Sequence, residues 1–304
     1  MSVLNGVFGD HLNERQLGLA ITMSCYENGV PLALTAASLR RACPALTPKI
    51  CVLVHGLVCT EDSWRFSGQQ PGEPPTSYGS LLQQDLGYTP LYLRYNTGLR
   101  VSENGKYLAA LLSELCAAYP IPIEEIVLIG HSMGGLVIRS ACHYGSEQQY
   151  DWVQRIRRIF YIGTPHEGAV LERVGNVVSS ALGIVRHPIP RLIRDVVNLR
   201  SQGIKDLRFG NLVDDDWRDQ DPDSCLQNGR TVVPWLPSAE HYLIAGTLTK
   251  DPSHPVTRIF GDMLVGVTSA HSEVPEDSPI TAAHMKLFPG VHHMSLARHP
   301  EVYQ

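Results

Sequence analysis

The sequence predicts an α/β fold: a mostly parallel sheet of about six strands flanked by helices, with a helical N-terminal segment and an inserted cap. Three observations predict it. Continuous apolar runs at residues 50–57 and 126–129 suit strands buried on both faces, and residues 156–162 read as a further strand. Helical patterns fall between them, the alternation that builds a parallel sheet covered on both sides. A Gly-His-Ser-Met-Gly turn at residues 130–134 joins one of these strands to a helix.

In chain order, residues 1–48 precede the first strand and read as helical. Asn13 is placed to cap a helix running to about Cys25, and Thr35 another running to about Arg41. Leu32, Leu34, Leu39 and Ala42 give this segment a mildly apolar face, expected to pack on the domain's flank, with peripheral lipid contact as the alternative. After the strand at 50–57 come a Gly- and Pro-rich loop to about Thr76, a short helix at 77–84 and a strand at 91–95. Ser102 then stands as the cap of a helix whose apolar face is Tyr107, Leu108, Leu111, Leu112 and Leu115. The strand at 126–130 leads through the serine turn into a helix ending near Tyr144, and the strand at 156–162 runs into Gly163-Thr164-Pro165-His166-Glu167-Gly168.

The alternation stops from 169 to 240. Helical stretches at 171–182 and 191–199, a Pro-rich kink at 187–190 and an acidic loop at 214–223 occupy this region. An insertion of this length between core strands is usually functional, and a lid over the serine is the expectation. The acidic loop reads as solvated. Ser224 stands where a calcium-binding EF-hand loop needs Gly, and Arg230 where it needs Glu, so no metal is expected there. Strands at 242–246 and 285–288 resume the core. The expected organisation is an N-terminal segment (1–48), a core (49–168 and 241–304) and a cap (169–240).

Composition narrows the function. The net charge is −5 and the 25 Lys and Arg are dispersed, which gives no electrostatic case for nucleic acid. The first residues lack a basic start followed by an apolar core, and no apolar run reaches membrane-spanning length, so a soluble cytoplasmic protein without a transmembrane segment is expected. Seven unclustered cysteines fit reduced thiols, and no ligand spacing suggests zinc.

The chemistry is concentrated at Ser132. In the pattern G-x-S-x-G after a buried strand and before a helix, the serine is forced into a strained turn with Oγ exposed, and the helix N-terminus favours negative charge. A serine hydroxyl needs a base within hydrogen-bond reach and an acid to hold that base. In this architecture the acid and then the histidine follow the serine on later loops. Asp262, in a Gly-Asp turn before an apolar run, is the candidate acid, with Glu273, Glu276 and Asp277 as rivals. His292 and His293 are the candidate bases, and spacing alone does not decide between them. His271 and His284 are weaker candidates, and His131 reads as structural. The backbone amides of Met133, directly after the serine, and of Leu57, after His55-Gly56, are the expected oxyanion donors. No cofactor is needed.

These residues carry a family resemblance. The chain resembles the serine-dependent α/β-hydrolases, in the lipase and esterase branch that includes GPI inositol-deacylase-like proteins and bacterial triacylglycerol lipases and esterases. The matching pieces are residues 54–57, 130–135, 163–169, 261–265 and 293–296. The resemblance implies His293 as the base and an esterase or lipase acting on a small-molecule or lipid acyl ester. A phospholipase, thioesterase or acyltransferase with the same triad, or an inactive scaffold binding a lipid surface or protein, are the alternatives. Relative to larger family members, two edge strands are expected to be missing at the N-terminus and the terminal helix is curtailed.

Overall fold

The computed structural model describes residues 2–14, 20–66, 76–169, 201–218, 230–247 and 284–304. Its centre is a sheet of eight strands, two more than expected, in the order β2-β1-β4-β3-β5-β6-β7-β8. Strands β3 (Lys49–Val54), β4 (Thr89–Arg94), β5 (Glu125–His131), β6 (Ile156–Ile162), β7 (Glu240–Gly246) and β8 (Met285–Phe288) run parallel to one another.

The apolar runs place side chains on both faces of this sheet. Ile50, Val52 and Val54 of β3, with Ile126 and Leu128 of β5, face helices α4 (Val101–Ala118) and α5 (Met133–Glu147). Cys51, Leu53, Val127 and Ile129 point the other way, against Trp64, Tyr78 and Leu296. Each fully buried aliphatic side chain contributes roughly 1.5–3 kcal/mol, so the two-sided burial strongly fixes the register of the central strands. Helix α3 (Tyr78–Leu86) starts at Ser77, whose Oγ accepts from Ser80 N–H at 3.1 Å, and ends on left-handed Gly87.

The N-terminal segment differs from expectation. Helix α1 spans Ser2–Glu14 and α2 spans Ala36–Ala42, capped by Thr35 as the sequence suggests. Asn13 lies within α1 rather than capping a helix, and among the described residues 20–27 are not helical: β1 (Ser24–Glu27) pairs antiparallel with β2 (Val30–Pro31) and with β4. The edge strands expected to be missing are therefore supplied by this hairpin. Tertiary contacts select the strand: Cys25 is buried in the core, and the Arg94 guanidinium lies 4.0 Å over the Tyr26 ring while its Nε donates to Glu61 at 2.7 Å.

The start of α4 also departs from the local signal. Ser102 does not cap it, and its Oγ instead accepts from Trp217 Nε1–H at 3.1 Å. The free amide of Val101 is taken by Asp206 Oδ2 at 2.9 Å, from helix α6 (Gln202–Phe209), and Arg100 donates to Asp206 Oδ1 at 2.7 Å. The same segment corrects the solvated reading of the acidic loop at two positions, while Asp215 is exposed. Asp214 is buried and paired with Lys106 and Arg218, and Asp216 is buried, accepting from the Leu212, Val213 and Thr231 amides at 2.7–3.1 Å. A carboxylate is buried only when such donors replace water. The stretches at 171–182 and 187–199, and residues 219–223, lie outside the described residues.

Six cysteines among the described residues are free, and burial pushes the Cys25 and Cys142 thiols up to about 12. Among the described residues no helix is long and apolar enough to cross a membrane.

Candidate active site

Strand β5 lies between β3 and β6, with Val54 opposite Gly130 on one side and Ile162 opposite His131 on the other. Ser132 N–H continues the ladder to Ile162 O at 2.8 Å, and α5 begins at the next residue. To turn this sharply Ser132 adopts φ 54° and ψ −125°, a conformation that L residues avoid. Such strain persists only where the surrounding structure over-determines it, and here the ladder and α5 do so.

The turn after β3 comes close to the serine. A Cβ on Gly56 would stand 3.0 Å from Ser132 Cβ, so glycine permits the approach. Leu57 follows, buried, and Met133 is the first residue of α5, whose amide has no intrahelical acceptor. Among the described residues neither the Leu57 nor the Met133 amide donates a turn or cap hydrogen bond.

His55 fixes this turn. Its Nδ1–H donates to Gly56 O at 2.9 Å, its ring stacks on Tyr95 at 4.6 Å, and Tyr95 Oη–H donates to His55 O at 2.8 Å. Burial lowers its imidazole to about 4, against the opposing effect of the Gly56 bond, so the ring is neutral at pH 7.

On the other side of Ser132, Gly163 takes a positive φ of 59° and its N–H donates to Ile244 O at 2.7 Å. A Cβ there would come within 3.0 Å of the His293 ring. His293, the first residue of α7 (His293–Leu296), is buried against the backbone that pairs with the serine, whereas His292 is exposed. The His293 ring lies 4.9 Å from that of His131, and His131 Nε2–H donates to His293 O at 3.0 Å. Tyr78 Oη holds the end of α7 through Leu296 O at 2.5 Å.

Ser132, Met133, Leu57 and His293 thus converge at the carboxyl ends of parallel strands. His284 does not join them: it precedes β8, at the amino end of that strand, against Tyr242. Asp262 and its rivals Glu273, Glu276 and Asp277, with His271, lie outside the described residues. Sequence reasoning overlooked Tyr95 and Thr97, which brace the Leu57 turn, and assigned His131 no partner. Their partners are 40, 39 and 162 positions away, a range that no local pattern reports.

The insertion reaches this site at one described point. A Cβ on Gly203, at the start of α6, would stand 3.1 Å from Met133 Cε. Further along, Arg139 of α5 stacks on Trp235 at 4.0 Å and donates to Val233 O at 2.6 Å, and Trp235 packs edge-on to Tyr161, His166 and His241.

A mostly parallel sheet with a strained serine between its central strand and the following helix defines the α/β-hydrolase fold. Within it, the chain belongs to the PGAP1-like alpha/beta domain family, whose profile matches residues 79–233, just over half of the sequence. Among solved structures it is similar to the Bacillus licheniformis lipase BlEst2. For the propeptide form the TM-score is 0.53 at 18% identity, over 84% of this chain and 48% of that one. For the mature form the TM-score is 0.51 at 18% identity, over 82% of this chain and 86% of that one. This chain therefore spans about half the length of the propeptide form. No curated protein matches the sequence.

Proposed function

We propose that this protein is a serine hydrolase that cleaves carboxylic esters through an acyl-enzyme on Ser132. The observation that carries the reading is the left-handed backbone of Ser132 at the head of α5, with buried His293 packed against the adjoining His131 and Gly163. Ser132 Oγ attacks the ester carbonyl carbon and His293 accepts the hydroxyl proton. The Leu57 and Met133 amides stabilise the oxyanion that forms. Collapse of the tetrahedral intermediate breaks the ester C–O bond, and His293 returns the proton to the departing alkoxide. Water, deprotonated by His293, then attacks the acyl-enzyme, releasing the acid and restoring Ser132. Asp262 is assigned to the imidazole's orientation, and the region 169–240 to the cover that shapes the acyl pocket. The fold shared with a protein described as a lipase supports an ester as the substrate class.

The test is hydrolysis of p-nitrophenyl esters of two to sixteen carbons below and above the micellar threshold, with fluorophosphonate labelling. Turnover and labelling are expected in the native protein and absent from Ser132→Ala. A rate jump at the interface identifies a lipase, its absence an esterase. Activity that survives in pure Ser132→Ala overturns the assignment. Asp262→Asn should fold normally yet turn over several orders of magnitude more slowly; severe loss confined to changes at Glu273, Glu276 or Asp277 would move the acid there.

A further inference from the structure

Helix α1 packs directly on the turn that carries Leu57. A methyl group on Gly6 would collide with the Val58 side chain and lie 3.2 Å from Thr97 Oγ1, and one on Gly98 would collide with the Asn5 carbonyl. Glycine is a poor helix former, so Gly6 and Gly9, one turn apart, give up helix propensity for this close approach. Hydrogen bonds hold the helix in place. Gly6 O accepts from Ser201 Oγ at 2.7 Å, Gly9 O from Asn96 Nδ2 at 2.9 Å, and Asp10 Oδ2 from the Gln202 amide at 3.0 Å.

Beneath the helix the backbone is strained. Cys59 N–H donates to Gly56 O at 3.2 Å, closing a four-residue turn in which Val58 holds the third position with φ 56°. That is the pattern of a type II turn, whose third position ordinarily belongs to glycine, and a β-branched residue there is an outlier. Val58 N–H donates to Thr97 Oγ1 at 3.2 Å, a bond that exists only while the Leu57–Val58 peptide keeps this orientation. Relaxation to the type I turn that valine prefers would flip that peptide and displace Leu57. In the strained turn the Leu57 amide, at the second position, donates no turn hydrogen bond among the described residues.

We propose that α1, through Gly6, and Thr97, through its hydroxyl oxygen, hold Val58 in its left-handed conformation and so aim the Leu57 amide at the oxyanion. Gly6 and Thr97 are positioning residues, and the inference rests on the ester-hydrolase reading above. The experiment compares the native protein with T97V, T97S and G6A by p-nitrophenyl ester kinetics, the fluorophosphonate labelling rate of Ser132 and circular dichroism. T97V removes the acceptor at constant shape, and G6A drives a methyl group into Val58. Each is expected to lower kcat and the labelling rate about tenfold with KM within about twofold, whereas T97S restores both. Native kcat in folded T97V, or a loss that T97S fails to restore, overturns the inference. If G6A does not fold, the T97V and T97S pair decides alone. A native protein that neither turns over nor labels refutes the ester-hydrolase reading instead.

Discussion

His131 Nε2–H donates to the backbone carbonyl of His293 at 3.0 Å, joining the residue before the serine to the residue proposed as its base. The two rings lie 4.9 Å apart at 38°, and Trp64 stands edge-on to His131 at 6.3 Å. The turn therefore supplies more than the proposed nucleophile: the residue before Ser132 anchors the segment that carries His293. H131L takes this donor away from a buried carbonyl, at a cost of about 1–3 kcal/mol. Because the loop is then free to shift, kcat should fall about 10- to 100-fold with little change in KM. H131Q, which keeps an N–H donor, should recover part of both. Ester kinetics and denaturant midpoints of the two variants check this, and a stability loss without a kcat loss would make His131 a packing residue only.

The backbone at Ser132 is strained. At φ 54° and ψ −125° the backbone costs about 1–3 kcal/mol for any L residue, while glycine adopts it freely and loses about 0.5–1 kcal/mol through its greater unfolded-state entropy. The difference favours glycine. Ser132→Gly should raise unfolding stability by about 1 kcal/mol, visible as a higher urea midpoint at constant slope. Ser132→Ala keeps the strain and should gain nothing. Both should lose ester turnover, by a factor on the order of 10⁴ to 10⁶. A glycine variant no more stable than the alanine variant would mean that the turn is not strained.

Legibility in the sequence followed the range of the physics. The central strands β3 and β5 were readable because burial on both faces leaves a nearly uninterrupted apolar run. The strained turn at Ser132 was readable because strand, turn and helix are adjacent in the chain. His293 was not separable from His292 by spacing and was favoured through the family resemblance; its burial, against the exposure of His292, depends on packing with Gly163 and His131 from other strands. The β1–β2 hairpin escaped because Ser24-Cys25-Tyr26-Glu27 has no strand periodicity of its own and becomes a strand by pairing with β4. The buried aspartates of the acidic stretch escaped for a similar reason: Lys106, the distant partner of Asp214, is 108 residues away.

Asp206 couples the insertion to the core. It accepts from Arg100 Nη1 at 2.7 Å, from the Val101 amide at 2.9 Å and from Asn211 Nδ2 at 3.1 Å, while Arg100 stacks on Trp217 at 4.4 Å. Burial raises the Asp206 carboxyl above its usual range even against the opposing pull of Arg100 and these donors, so desolvation is the larger effect. Removing one partner should therefore hurt more than removing both. Asp206→Asn leaves a buried guanidinium uncompensated and should cost about 3–5 kcal/mol, with the double variant Asp206→Asn/Arg100→Met less destabilised than the single. A double-mutant cycle by urea unfolding measures the difference, and additive losses would show that the two side chains act independently.

Acid should destabilise the fold well before the carboxylates titrate. His55 and His241 are both lowered to about 4 by burial, the latter also bonded through Nε2–H to Leu236 O at 2.9 Å and placed 3.2 Å from Tyr161 Oη. An unfolded histidine titrates at about 6.5. Between the two values the unfolded chain binds protons that the folded chain refuses, so stability is full above about pH 6.5 and falls as pH drops toward 4. Below 4 both states are protonated and this contribution flattens. A lowering of this size corresponds to about 3 kcal/mol for each histidine. His241→Gln, which keeps an N–H donor for Leu236 O and cannot titrate, should reduce the slope of unfolding free energy against pH between 6.5 and 4 by about half relative to the native protein. His241 sits among Trp235, Tyr161 and Arg139 rather than beside Ser132, so the comparison can be made without touching the candidate triad. An unchanged slope in His241→Gln would show that His241 is protonated in the folded state at these pH values.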